Sequence, residues 1–145
     1  EIRLAVHSAK DLPDPLASGL CLAALTEGKD PRDSLVFLKE LPKAPRIASS
    51  SIRREENVKR LFPDAVFIDI RGSIHERLKV LQSDLADGVV IAEAALIRLG
   101  LTDLPRIFLP GEAPPLQGRL ALVVREDDDE LKSFLEMIYG ALPRA

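Results

Sequence analysis

Short apolar segments of strand length recur along this chain with amphipathic helical stripes between them, and that alternation restricts the fold to the α/β class, with sheets flanked by helices. Strands are expected at residues 2–6, 20–25, 46–49, 65–70, 88–92 and 119–124. The last two are nearly continuous apolar runs, as required of strands covered on both faces, and the rhythm as a whole predicts a mixed, mostly parallel sheet. Three helices are legible by spacing. Val58, Leu61 and Phe62 fall at i, i+3, i+4, and Pro63 stops that helix. Ile74, Leu78, Leu81 and Leu85 form a second stripe; Leu131, Phe134, Leu135, Ile138 and Leu142 form a third, capped by Asp127 or Asp128. All three stripes are expected to be core.

Composition narrows the function. With 46% hydrophobic and 30% charged residues in 145, the chain reads as a soluble globular protein, large enough for one core or two small lobes. No apolar run approaches the roughly 20 residues of a membrane span, so no membrane partner is expected. The single cysteine, Cys21, excludes an internal disulfide, and with no secretory signal at the start a cytoplasmic location is the expectation. The chain opens on Glu1 and runs at once into a strand-like segment, which suggests a start in mid-fold. Net charge is −3 and aromatics are 4%, which argues against nucleic-acid binding. Yet residues 43–79 hold nine Lys or Arg against five Asp or Glu, a local excess that fits an anion site. Two histidines and one cysteine give no metal-ligand spacing, and no Gly-rich phosphate loop is present.

Candidate chemistry sits at two strand-to-helix junctions and in one loop that follows a strand. Ser49, Ser50 and Ser51 precede a helix whose first turn holds Arg53 and Arg54, so hydroxyls, backbone N–H groups and guanidinium groups converge. The alternative is an N-cap serine followed by solvated arginines. Arg71 follows the strand at 65–70, Gly72 makes the turn, and Arg77 lies in the next helix. Ligands of open α/β sheets bind beyond the carboxyl ends of strands, where both groups fall, and four planar two-bond forks suit a ligand with several carboxylates. Here the alternative is salt bridging to Glu55, Glu76 or Asp69. The third element places Lys10 and Asp11 in a loop after the first strand, which is otherwise a solvated turn.

In order along the chain stand HSAKDLP (residues 7–13), DPRDSLVF (30–37), SSSIRRE (49–55), IRGSIHERLKVL (70–81) and IAEAALIRLGL (91–101). This series resembles the porphobilinogen deaminase (hydroxymethylbilane synthase) family, over nearly the whole chain. The resemblance implies a transferase of tetrapyrrole and haem biosynthesis, which joins four porphobilinogen molecules head to tail with release of ammonia on a dipyrromethane primer held by a cysteine. It further implies a two-lobed fold like type II periplasmic binding proteins, with residues 1–30 and 112–145 in lobe 1, its first part incomplete, and 31–111 in lobe 2. Asp11 takes the catalytic position. Arg53, Arg54, Arg71 and Arg77 would clamp the acetate and propionate groups, Ser50, Ser51 and Lys10 would help to fix cofactor and substrate, and Gln117 and Arg125 match by their spacing residues near the same cleft. The family's attachment cysteine lies in a third domain, beyond Ala145, and Cys21 reads as a small buried hydrophobe; the chain alone is then expected to be an inactive monomer. Where the family has a glycine-rich turn this chain has Pro115-Leu116-Gln117-Gly118-Arg119, with less backbone freedom. The rival reading is a non-catalytic anion-binding relative that has lost the covalent cofactor.

Overall fold

A computed structural model describes residues 1–142; residues 143–145, which the expected lobe 1 includes, lie outside the described residues. The chain divides into two compact units, Glu1–Lys29 with Pro114–Ala145, and Asp30–Ala113.

In the second unit, strands β4 (Arg46–Ala48), β5 (Val66–Ile68) and β6 (Gly88–Ala92) run parallel, and β3 (Asp33–Phe37) lies antiparallel between β6 and β7 (Arg106–Phe108), giving the order β5-β4-β6-β3-β7. Side chains alternate across this sheet as the two-residue period demands. Leu35, Ile47 and Val90 face one side with Val58 of helix α1 (Ile52–Leu61) and its C-cap Phe62; Val36, Ala48, Val89 and Ile91 face the other with Leu78 and Leu81 of α2 (Ile74–Gln82) and Leu96 of α3 (Glu93–Arg98). Cover on both faces explains the unbroken apolar run of β6 and the Leu35-Val36-Phe37 run of β3. The parallel course of β4, β5 and β6 places their carboxyl ends at one rim. Because β3 runs the opposite way, Asp33 pairs with Ala92 and joins that rim.

The first unit holds β1 (Leu4–Ser8), β2 (Leu20–Leu25) and β8 (Leu120–Arg125) in the antiparallel order β1-β8-β2. Leu131 and Leu135 of α4 (Asp129–Tyr139) pack on Ala24, Leu122 and Val124. A 3-10 turn, Ala9–Asp11, follows β1.

Several expectations are corrected. Parallel pairing is confined to β4 and its two neighbours, and the other described pairings are antiparallel, so the sheets are mixed rather than mostly parallel. Strand β1 starts at Leu4, not residue 2, because Leu4 is already opposite Val124 near the end of β8. Strand β5 stops at Ile68: the Ile70 backbone bonds instead to the Ser50 hydroxyl, which accepts from its N–H at 2.8 Å and donates to its carbonyl at 3.0 Å. Strands β3 and β7 were not anticipated. The second stripe loses Leu85, since α2 ends at Gln82 and Asp84 turns left-handed (φ 58°), leaving Leu85 exposed. In α4 only Leu131 and Leu135 are core; Phe134 and Ile138 lie one position round and are half-exposed, and Leu142 is past the helix end.

Candidate functional site

At the rim of the second unit, two arginines close on one buried acid, Asp33. Asp33, its side chain 3% exposed, takes Arg53 Nη1 on Oδ2 at 2.8 Å, and Arg54 Nη2 and Nε on Oδ1 at 3.0 and 3.1 Å. Both arginines are brought there by the first turn of α1, whose start is fixed by Ser51: its hydroxyl caps the helix, accepting from Arg54 N–H at 3.3 Å. Ser49 is buried, and its hydroxyl accepts from the Ser51 N–H. Two charges on one carboxylate leave the cluster net positive. Burial pushes the Arg54 guanidinium below its ordinary value; Asp33 pulls it back up, while repulsion from Arg53 and Arg77 adds to the lowering. The two arginine groups are neighbours through the backbone, because the Ser50 hydroxyl, just before α1, bonds to Ile70, just before the turn that leads to Arg77.

The second group is held by a turn built from a few side chains. Gly72 has φ 102°, a conformation that side chains rarely adopt. Its carbonyl accepts from Arg77 Nε at 3.0 Å, while Ser73 and Glu76 form a reciprocal capping box at the start of α2. Ser50 ties this turn to the serine loop through Ile70, and its hydroxyl oxygen lies 3.3 Å from Asp69 Oδ1. Arg71 is exposed beside it. Guanidinium forks and the first backbone N–H groups of two helices thus share one rim, a donor set for a ligand with more than one anionic group.

In the first unit, Lys10 Nζ donates to Gln117 Oε1 at 3.2 Å, and Gln117 is buried. Asp11 is exposed in the 3-10 turn next to Lys10. Gln117 sits between two left-handed residues, Leu116 (φ 66°) and Gly118 (φ 89°), so the turn holds a leucine in a conformation that favours glycine. The expectation that Arg125 accompanies Gln117 is corrected. Lys10, Asp11 and Gln117 gather where β1 ends and β8 begins, whereas Arg125 closes β8 at its other end, about 17 Å along the strand, where it pairs with Glu1. Cys21 is half-buried in β2 against the Leu122 and Val124 cluster.

Sequence reasoning named Glu55, Glu76 and Asp69 as salt-bridge alternatives for the arginines and missed Asp33. That residue was within reach, as the only acid directly before the apolar run Ser34-Leu35-Val36-Phe37. Among the described residues, no group of three or more His, Cys, Asp or Glu could hold a metal ion, and no helix is long and apolar enough to cross a membrane.

Comparison with known proteins gives these features a context. Residues 1–133 match the family model described as "Porphobilinogen deaminase, dipyromethane cofactor binding domain". Porphobilinogen deaminase of Fusobacterium nucleatum is 41% identical over 97% of this chain and 49% of its own length; that of Thermus thermophilus is 44% identical over 89% and 46%. The chain thus spans about half the length of the curated relatives it matches. Among solved structures, an ancestral cationic amino acid solute binding protein aligns with a TM-score of 0.55 at 13% identity, over 93% of this chain and 61% of that one. A putative L-cystine ABC transporter from Listeria monocytogenes aligns at 0.51 and 10%, over 94% and 62%. At such identities the likeness speaks for the fold alone, which is that of type II periplasmic binding proteins. On the family model, and on relatives that carry its name, this chain belongs to the porphobilinogen deaminase family.

Proposed function

We propose that this chain carries the carboxylate-holding part of a hydroxymethylbilane synthase, the activity that condenses four porphobilinogen molecules with loss of ammonia. One observation carries the reading: Arg53, Arg54 and Arg77 are held by capped helices at the carboxyl rim of a parallel strand group, and one buried acid leaves their sum positive. Porphobilinogen bears two carboxylates on a flat ring, and paired guanidinium forks recognise such groups in fixed geometry.

The same donors fit the dipyrromethane group for which the family model is described. Arg53, Arg54, Arg71 and Arg77 would hold its carboxylates; for Lys10, in the first unit, a binding role rests on the family resemblance alone. When bound, that group supplies the primer end to which pyrroles are added. Ser51 and Ser50 support the reading indirectly, since their hydroxyls shape the loop that presents Arg53 and Arg54. Asp11 is the proposed catalytic carboxylate. As ammonia leaves, positive charge spreads onto the pyrrole ring, and a fixed carboxylate near the ring N–H lowers the barrier to that charge. A reading as a binding module without covalent attachment draws on Cys21, the single thiol of this sequence, which packs on a core cluster.

Calorimetric titration of the chain with porphobilinogen tests the reading. Binding that weakens at least tenfold in Arg53→Ala and in Arg77→Ala, and falls with added salt, is the expected result. Equal binding by both variants, or none by the unaltered chain, would refute it.

A further inference from the structure

An acid at the centre of an anion site is a contradiction in charge. Asp33 is almost wholly buried, and it takes three N–H donors from the two arginines to which the proposed function gives the ligand's carboxylates. If the rim existed only to attract anions, a neutral residue at position 33 would serve better, since each negative charge removed raises the local potential. Its placement shows what it does instead. Asp33 opens β3, an inner strand, and pairs with Ala92 of β6, so its backbone is fixed at the rim of the sheet. Its two carboxylate oxygens are divided: Oδ2 takes Arg53, and Oδ1 takes Arg54 through both Nε and Nη2. Arg54 is thereby locked across its fork, with its side chain 12% exposed, while Arg53, held through Nη1, stays 34% exposed.

We propose that Asp33 is a positioning residue, a built-in carboxylate that orders the Arg53 and Arg54 side chains before a ligand arrives. This inference rests on the proposed function only for the identity of the ligand. The gain is entropic: an arginine carries much rotamer freedom, and a site that fixes it beforehand does not lose that freedom on binding. The loss is electrostatic, one charge of opposite sign inside the site. Preorganisation outweighs that charge, because Arg54 is buried and would otherwise lack a fixed counter-charge.

The two effects have opposite signs, which makes the test sharp. Porphobilinogen and, separately, citrate are titrated by calorimetry into the unaltered full chain, Asp33→Asn and Asp33→Glu. The Arg54 Nε–Hε resonance is followed by NMR, and a melting curve is recorded for each variant. The inference expects Asp33→Asn to bind about tenfold or more weakly despite the lost negative charge, to lose the dispersed Arg54 resonance, and to be partly rescued by Asp33→Glu. Should Asp33→Asn not fold, Asp33→Glu is compared with the unaltered chain, and a displaced Arg54 resonance with weaker binding is expected. Equal or tighter binding by a folded Asp33→Asn overturns the inference. If citrate obeys this pattern and porphobilinogen does not bind at all, the proposed function fails and the role of Asp33 stands; if neither anion binds the unaltered chain, both fail.

Discussion

Glu93 gives the most demanding test of how the second unit is held together. It follows the last residue of β6 and is buried, its side chain 4% exposed. Oε1 accepts from Arg106 Nε at 2.7 Å and from the Ser34 hydroxyl at 2.8 Å, and Oε2 accepts from Arg106 Nη2 at 2.8 Å. One carboxylate therefore ties β3, β6 and β7. Glu93→Gln keeps the shape but turns one oxygen into an N–H donor facing a guanidinium. Hydrogen bonds to charged groups contribute about 1.5–3 kcal/mol each, and Arg106 keeps the carbonyls of Thr102 and Leu104, so a net loss of about 2 kcal/mol is expected. For a unit of this size that lowers the melting temperature by roughly 8–16 °C. The pH dependence follows from the same contacts. Arg106, helped by Ser34 and opposed by burial, holds the Glu93 carboxyl below its usual range. A depressed pKa stabilises the fold fully above the unfolded value and loses that contribution as pH falls through the folded value. Melting curves by circular dichroism from pH 7 to about pH 3 should therefore show a wide gap between the unaltered chain and Glu93→Gln at neutral pH that closes on acidification. A gap under about 0.5 kcal/mol at pH 7, or one that does not shrink with acid, would refute the reasoning.

Two further substitutions probe the backbone around the candidate residues. Gly72→Ala would set a Cβ 2.8 Å from Glu76 Oε2 at a φ of 102°, straining the turn and opening the capping box; a loss of about 2 kcal/mol is expected by denaturant titration. Leu116→Gly removes an exposed side chain from a left-handed residue and should cost less than about 1 kcal/mol, whereas Leu116→Ile, which adds a β-branch at the same φ, should cost about 1 kcal/mol or more.

Where one physical rule dominates, the sequence is a good guide. Gly88–Ala92 is a continuous apolar run buried on both faces, and both its ends agree with expectation. The helix stopped by Pro63 is equally plain, because Val58 and Phe62 lie on one face against the sheet. Strand β3 escaped notice because its apolar run follows Pro31-Arg32-Asp33 and reads as a loop motif; β7, which directly follows Pro105 and is three residues long, is too short for any period to register. The α4 stripe overreached because spacing tells which residues share a helix face but not how wide the neighbouring sheet is, and a three-stranded sheet covers only Leu131 and Leu135. At the candidate site the arginines were legible as types in a pattern. Their acid was not, since Asp33 lies 20 residues before Arg53 and is brought to the rim only by the antiparallel course of β3. Arg125 was misplaced for a related reason: eight positions separate it from Gln117, and a strand converts sequence proximity into distance.

The central claim is most directly tested by following backbone and arginine side-chain NMR signals of the full chain as porphobilinogen is added. The account predicts that, within the second unit, the largest shifts fall on Ser49 to Arg54 and on Ile70 to Arg77, with the arginine Nε–Hε signals among them. Shifts confined to the opposite end of that sheet, around Phe37, Arg46 and Gly88, or spectra unchanged at saturating porphobilinogen, would contradict it.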